Sequence, residues 1–333
     1  MGVYIIAEAG VNHNGDKATA YKLCNAAKEA GVDAVKFQTW KTDKICTGTA
    51  RMASYQDANT KHKSTSQYEM LKNLELSYED FIDIKEYCEE IGIQFLSTPD
   101  EEWSLDFLCG LNLPFIKVGS GEVTNIPYLR KIASKHVPVI LSTGMSNISQ
   151  VGWAYDTLIS YGAPNVKLLH CTTNYPCPMN EVNLRAMQTL KEAFKCEVGY
   201  SDHTMGIEVP IAAVAMGATI IEKHFTLDVD MDGPDHKASL DPLNLSLMVQ
   251  GIRNIEAALG NGYKEPNKSE KEISKVVLKS IVAARNIKEG EILSEEMLTV
   301  KRTGTGISAS NWDLVIGTKA ITDYDEDEPI RLK

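Results

Sequence analysis

A chain of 333 residues, 43% of them apolar, is long enough for about two domains with a sizeable core, and no apolar run in it approaches the roughly 20 residues of a membrane helix. Its 34 basic against 45 acidic residues leave a formal charge of −11, which argues against a nucleic-acid partner but allows an anionic small substrate held by a few local lysines. Seven cysteines, odd in number and without a C-x-x-C pair, predict reduced thiols, a cytoplasmic location and no zinc ribbon.

The opening MGVYIIAEAG has no basic n-region and runs straight into a strand pattern, so no signal peptide is expected. Ile6 stands where a myristoylation signal needs Ser or Thr. From there short apolar runs alternate with longer stretches of helical spacing. The runs are VYIIAE (3–8), AVKFQ (34–38), IQFLST (93–98), PFIKVGS (114–120), PVILST (138–143), VKLLHCT (166–172), EVGYSD (197–202) and TIIEKH (219–224). They are apolar on both faces, as parallel strands covered by helices must be. The helical stretches include 18–31 with Gly31 as C-cap, 77–92 with Ser77 as N-cap and Gly92 as C-cap, 183–194, and 241–260. Eight such units predict an α/β fold, a (β/α)8 TIM barrel, with a doubly wound sheet as the structural alternative. The barrel is expected over 1–262, a linker over 263–275 where NGYKEPNKSEKE is polar, and a small β-rich domain over 276–333.

Barrel enzymes carry their chemistry at the C-terminal strand ends. Here strand 1 ends in Glu8 and runs on to Asn12, His13 and Asn14, where the histidine fits a structural hydrogen-bonding role better than a catalytic one. Strand 2 carries Lys36 and Gln38, strand 3 ends in Thr98, strand 4 carries Lys117 and leads into Ser120 and Glu122, and strand 5 ends in Ser142. Strand 6 leads to Asn174 and Tyr175, strand 7 to Ser201, Asp202 and His203, and strand 8 to Glu222, Lys223 and His224. Ionisable groups inside apolar runs are costly to bury without a partner or a purpose. His203 and His224 end consecutive strands, so their imidazoles would converge on a divalent metal, with Asp202 and Glu222 as further ligands or as partners orienting the rings. One catalytic and one core histidine is the plainer alternative. Lys36 and Lys117, with Ser120, Ser142 and the backbone around Gly119, Gly121 and Gly144, form an anion cradle. Salt bridges from these lysines to Glu8 or Glu122 are compatible with it. GPDHKASL (233–240) adds Asp235, His236, Lys237 and Ser239 after strand 8.

AEAGVNHNG, VKFQ, LSTP, KVGSGE, STGM, LLHCTTNYP, GYSDHT, IEKHFTLD, GPDHKASL and KRTGTGIS together resemble the sialic acid synthase family, and they span nearly the whole chain. The family comprises phosphoenolpyruvate-dependent synthases of nine-carbon sugar acids. The resemblance implies a TIM barrel followed by an antifreeze-like SAF domain of β-clip fold, in a domain-swapped homodimer. His203 and His224 match its metal ligands, with manganese expected and magnesium or cobalt as alternatives. Lys36, Lys117, Ser120, Ser142 and Ser201 match phosphoenolpyruvate-binding positions. Glu8, Tyr175, Asp235 and a second copy's Arg302 match the sugar side, together with Gln38, Thr98 and Asn174. Glu122 matches an acid/base position and joins Lys117, His203 and His224 in the catalytic set.

The implied substrate besides phosphoenolpyruvate is an open-chain N-acyl-mannosamine. N-acetylmannosamine would give N-acetylneuraminate, and a 2,4-diacetamido-2,4,6-trideoxymannose would give N,N'-diacetyllegionaminate. The motifs are shared by both branches. The sequence departs from the family at STPDEE, which lacks the Phe usual after STP, at KVGSGE, and at Thr303, where Pro is usual; the first and last bear on the sugar pocket. A synthase for phosphorylated sugars and a metal-dependent barrel hydrolase are the rival enzymes. The hydrolase usually needs His-x-His on strand 1, and Asn12-His13-Asn14 lacks it. A non-catalytic binding module leaves the ionisable strand ends unexplained.

Overall fold

The computed structural model describes residues 2–332 except 53–55, 57–58 and 60–65. The chain divides into two compact units, Met1–Gly260 and Asn261–Lys333.

The first unit is the expected barrel. Its strands are β1 (Tyr4–Gly10), β2 (Ala34–Thr39), β3 (Gln94–Pro99), β4 (Ile116–Val118), β5 (Val139–Ser142), β6 (Val166–His170), β7 (Val198–Asp202) and β8 (Ile220–His224). All strand pairs are parallel, in the order β3-β2-β1-β8-β7-β6-β5-β4. β3 and β4 pack side by side and complete the ring without a backbone ladder between them. The helices that follow the strands are α1 (Lys17–Ala30), α2 (Tyr78–Ile91), α3 (Glu102–Gly110), α4 (Ile126–Ala133), α5 (Ile148–Ser160), α6 (Ala186–Phe194), α7 (Glu208–Ala215) and α8 (Pro242–Leu259). The caps fall where the residue types place them: Gly31 and Gly92 end α1 and α2 in the left-handed region, and Ser77 opens α2 in a capping box with Asp80. α6 starts three residues later than the spacing predicts, because 183–185 make turn hydrogen bonds.

Side chains alternate across each strand, so every second residue enters the barrel. The lower interior is apolar, built from Ile6, Ala34, Leu96, Ile140, Leu169 and Ile220, with Tyr4 and Phe115 packed edge to face at its base. Two residues further along the same strands come Glu8, Lys36, Thr98, Ser142 and Glu222. The apolar floor thus sets the height at which the charged layer begins. A separate and larger core fills the space between strands and helices.

In the second unit β9 (Ser280–Ala283) pairs antiparallel with β10 (Leu298–Lys301), and single bridges join Ile287 to Tyr324 and Ile292 to Lys319. Its own core contains Ile281, Ile287, Leu293, Val315, Tyr324 and Ile330. The polar stretch read as a linker is not irregular throughout: residues Lys268–Val277 form helix α9, started by an Asn267–Glu270 capping box. Among the described residues no helix is long and apolar enough to cross a membrane.

Candidate active site

The charged layer surrounds a cavity of about 190 Å³ at the C-terminal mouth of the barrel. On one side lie the lysines. Lys36 Nζ is 2.8 Å from Glu8 Oε2 and 3.7 Å from Glu222 Oε2, and donates to Thr98 Oγ1 at 2.9 Å. Lys117 Nζ donates to Ser142 Oγ at 2.8 Å and stands 3.5 Å from Glu222 Oε1, which also accepts from Ser201 Oγ at 2.8 Å. All of these side chains are buried. Burial opposes the Glu222 charge, but Lys117, Lys36 and the Ser201 hydrogen bond pull its carboxyl down to about 2. Glu8 goes the other way: burial, with Glu222 adding repulsion, outweighs Lys36 and pushes it up to about 8. Burial also works against Lys36, yet Glu222 and Glu8 hold it above its ordinary value; burial and the neighbouring Lys36 charge lower Lys117.

Two corrections follow. Glu222 makes its ion pairs with the two lysines and takes its hydrogen bond from Ser201 rather than from an imidazole, and Lys117 pairs with it rather than with Glu122. Asp202 is neither a metal ligand nor a partner orienting an imidazole. β7 turns Ser201 inward and Asp202 outward, where it meets Lys223.

On the opposite side the rings of His203 and His224 lie 5.5 Å apart between centroids, with Tyr175 4.2 Å from His203 and 5.5 Å from His224. His203 Nδ1 is 2.7 Å from the Thr172 carbonyl, which fixes this nitrogen as the donor and leaves Nε2 as the free lone pair. His224 Nδ1 is buried without a hydrogen-bond partner, 4.0 Å from Asp235 Oδ2. Burial lowers both rings, His224 well below the ordinary histidine value with the help of neighbouring His203. Two neutral imidazoles with available nitrogens fit a divalent cation, provided water or substrate completes the coordination. Among the described residues no group of three or more His, Cys, Asp or Glu could hold a cation, so His203 and His224 stand as a pair without a third such ligand beside them.

The cavity brings together Glu8, Lys36, Gln38, Thr98, Lys117 and Ser120 with Ser142, Tyr175, Ser201, His203, Glu222 and His224. Glu122 stands apart from it. It lines a neighbouring cavity of about 560 Å³, joined to the first at Asp100, and its carboxyl is raised by burial against a 2.7 Å hydrogen bond from Asn125. Asp235 is buried beside His224 but does not line the cavity, Asn174 is exposed outside it, and Arg302 is exposed on the second unit. A larger cavity, about 700 Å³, lies at the barrel's opposite mouth among residues such as Tyr4, Phe115 and Leu259, and contains none of these groups.

Two wall residues were missed. Asp100, pushed up to about 7 by burial with Glu122 repelling it, stands two residues beyond Thr98, so strand alternation pointed to it. Cys171 Sγ lies 3.2 Å from Ser120 Oγ. Gly144, expected in the cradle for its backbone, stands there without room for a side chain: its N–H donates to Ser120 Oγ at 3.0 Å, and a Cβ there would collide with Thr173 Oγ1.

The loop motifs lock the rim. Asn12 donates to Phe225 O at 2.8 Å and to Ser239 Oγ at 2.9 Å; Asn14 donates to Asp232 O at 2.9 Å. His236 meets Thr226 Oγ1 at 2.6 Å and Asn14 Oδ1 at 3.2 Å. His13 Nδ1 accepts the Gly15 N–H at 3.0 Å, the structural role expected of it.

The NeuB family model matches residues 23–264, and the SAF domain model residues 279–333. The chain is 50% identical over 329 residues to the N,N'-diacetyllegionaminic acid synthase of Campylobacter jejuni, covering 98% of each. It is 49% identical over 323 residues to the enzyme of the same name from Legionella pneumophila, covering 96% of this chain and 90% of that one. A crystal structure of N-acetylneuraminic acid synthetase from Leptospira borgpetersenii in complex with citrate is similar with a TM-score of 0.71 and 33% identity, over 82% of this chain and 90% of that one.

Proposed function

Because the chain belongs to the NeuB family and ends in an SAF domain, we propose that it joins C3 of phosphoenolpyruvate to C1 of an open-chain N-acyl-mannosamine sugar, adds water at C2 and releases phosphate by C–O cleavage. Of the two sugars left open above, we take 2,4-diacetamido-2,4,6-trideoxymannose, giving N,N'-diacetyllegionaminate, on the likeness to the Campylobacter and Legionella synthases. The observation that carries the reading is the pairing, in one cavity, of two buried lysines with two neutral imidazoles.

Lys36, Lys117, Ser120, Ser142 and Ser201 take the phosphate and carboxylate of phosphoenolpyruvate, whose negative charge joins that of Glu222 in balancing the two lysines. His203 and His224 would hold a divalent cation, manganese first with magnesium or cobalt as alternatives, and when bound it draws electron density from the aldehyde oxygen as a Lewis acid. Tyr175, Asp235, Glu8, Gln38, Thr98 and Asn174 serve the sugar. As C3 attacks, the aldehyde oxygen gains a proton, and the water adding at C2 loses one. Glu122, raised by burial, relays that proton. Arg302 of a second copy completes the sugar site in a domain-swapped cytoplasmic homodimer.

The test is phosphate release from phosphoenolpyruvate and Mn²⁺ with either sugar. Release with the diacetamido sugar and not with N-acetylmannosamine is expected. The reverse would move the enzyme to the sialic acid branch, and no release with either would overturn the proposed substrates.

A further inference from the structure

The β7–β8 ladder pairs Tyr200 with Ile221, Ser201 with Glu222 and Asp202 with Lys223, and stops there. His203 is the next residue, so no strand pairing holds it against β8. It is tied instead toward β6, by its ring to Thr172 O and by its carbonyl, which accepts the Cys177 N–H at 2.7 Å. What links it to β8 lies behind the sheet. Lys223 Nζ reaches Asp202 Oδ2 at 2.5 Å and also donates to the Thr204 carbonyl. Thr204 returns its hydroxyl to Asp202 Oδ2 at 3.0 Å and its N–H to Oδ1 at 3.1 Å. Lys223, Asp202 and Thr204 are all 0% exposed. One ammonium therefore clamps both neighbours of His203, and the same residue immediately precedes His224.

A buried ion pair is weak evidence for stability, since apolar residues of similar volume often serve as well. What such a pair can supply is fixed geometry. We infer that Lys223, through Asp202 and Thr204, is the positioning residue that sets the spacing of the His203 and His224 imidazoles and thereby the affinity of the site for its cation. The inference rests on the two-histidine reading above.

The experiment is a Mn²⁺ titration of the full chain, with free Mn²⁺ read by electron paramagnetic resonance, beside thermal unfolding in chelator. Lys223→Met strands a buried carboxylate, so it should lose stability and weaken Mn²⁺ binding at least ~10-fold, as partners behind metal ligands commonly do. In Lys223→Met/Asp202→Leu no unpaired charge remains. That variant should regain stability while its Mn²⁺ affinity stays at least ~10-fold weaker. Thr204→Val keeps the charges paired, and should fold as the wild type does yet bind Mn²⁺ a few-fold more weakly. Wild-type affinity in the double variant, or in Thr204→Val, would make the clamp purely structural and overturn the inference. No Mn²⁺ binding by the wild type would instead overturn the two-histidine reading itself, so the two failures are distinct.

Discussion

On the β2–β4 side of the pocket, Lys36 and Lys117 share the Glu222 carboxylate as counter-charge, at 3.7 and 3.5 Å, and Lys36 also meets Glu8 at 2.8 Å. On the β7–β8 side, His203 and His224 are held neutral by burial, and their supports are a backbone carbonyl and an ion pair behind the sheet. The lysine side cannot lose a member without leaving an uncompensated buried charge. Either imidazole can be removed without that penalty, although the Lys223–Asp202 pair behind them cannot be halved. One side therefore couples stability to function, whereas the other separates them.

His203→Ala or His224→Ala should have the largest effect and break the comparison most directly. Turnover should fall at least ~1,000-fold, the size of several kcal/mol of lost electrophilic stabilisation, while the unfolding temperature changes little. Near-normal phosphate release by either variant, or by chelated wild-type protein, would remove the metal from the reaction. Lys36→Met should instead cost about 3–5 kcal/mol of stability, because the buried Glu222 carboxylate loses one of its two ammoniums and Glu8 loses its only one. Adding Glu8→Gln should recover part of it, with chemical denaturation as the measurement.

Stability against pH sharpens the contrast. His13 and His236 are held by burial near 4 against an ordinary 6.5. Their contribution is complete above about 6.5 and is lost as pH falls through about 4. Glu8, raised to about 8 from an ordinary 4.5, contributes stability that is complete below its ordinary value and is lost as pH rises through about 8. Unfolding temperature should fall as pH drops from about 6.5 toward 4 and as it rises from about 6.5 to 8, and Glu8→Gln should flatten the second limb while steepening the first between about 4.5 and 6.5, where Glu8 opposes the two histidines. The smallest effect is expected of Arg302→Ala: a sugar KM raised about 10-fold, as for one lost charged hydrogen bond, with the small unit still folded. Mixing it with His203→Ala chains should restore activity if the two copies complete each other's sites, and no rescue would place both residues in one chain's site.

Much of this was legible in the sequence, because apolar strands that end in Glu, Lys or His leave few places for those groups except a barrel mouth. Partner choice was less legible. Glu222 and Lys223 stand next to each other, yet one serves the pocket lysines and the other Asp202. Strand alternation assigns the two faces, but it does not say which residue of a neighbouring strand waits there. The polar stretch after Gly262 hid α9 for a different reason: its helix signal lies in a capping box and three apolar residues, Ile273, Val276 and Val277, all exposed within this chain.

The joint between β3 and β4 has a mechanical side. Every other pair of neighbouring strands in the ring is stitched by a parallel ladder, whereas this pair meets through packing. Widening the ring elsewhere must break backbone hydrogen bonds; widening it here need not. Asp100 and Glu122 follow the two strands of that joint. The distance between these carboxyls, where the two neighbouring cavities share Asp100, is thus the dimension of the barrel mouth that the sheet constrains least.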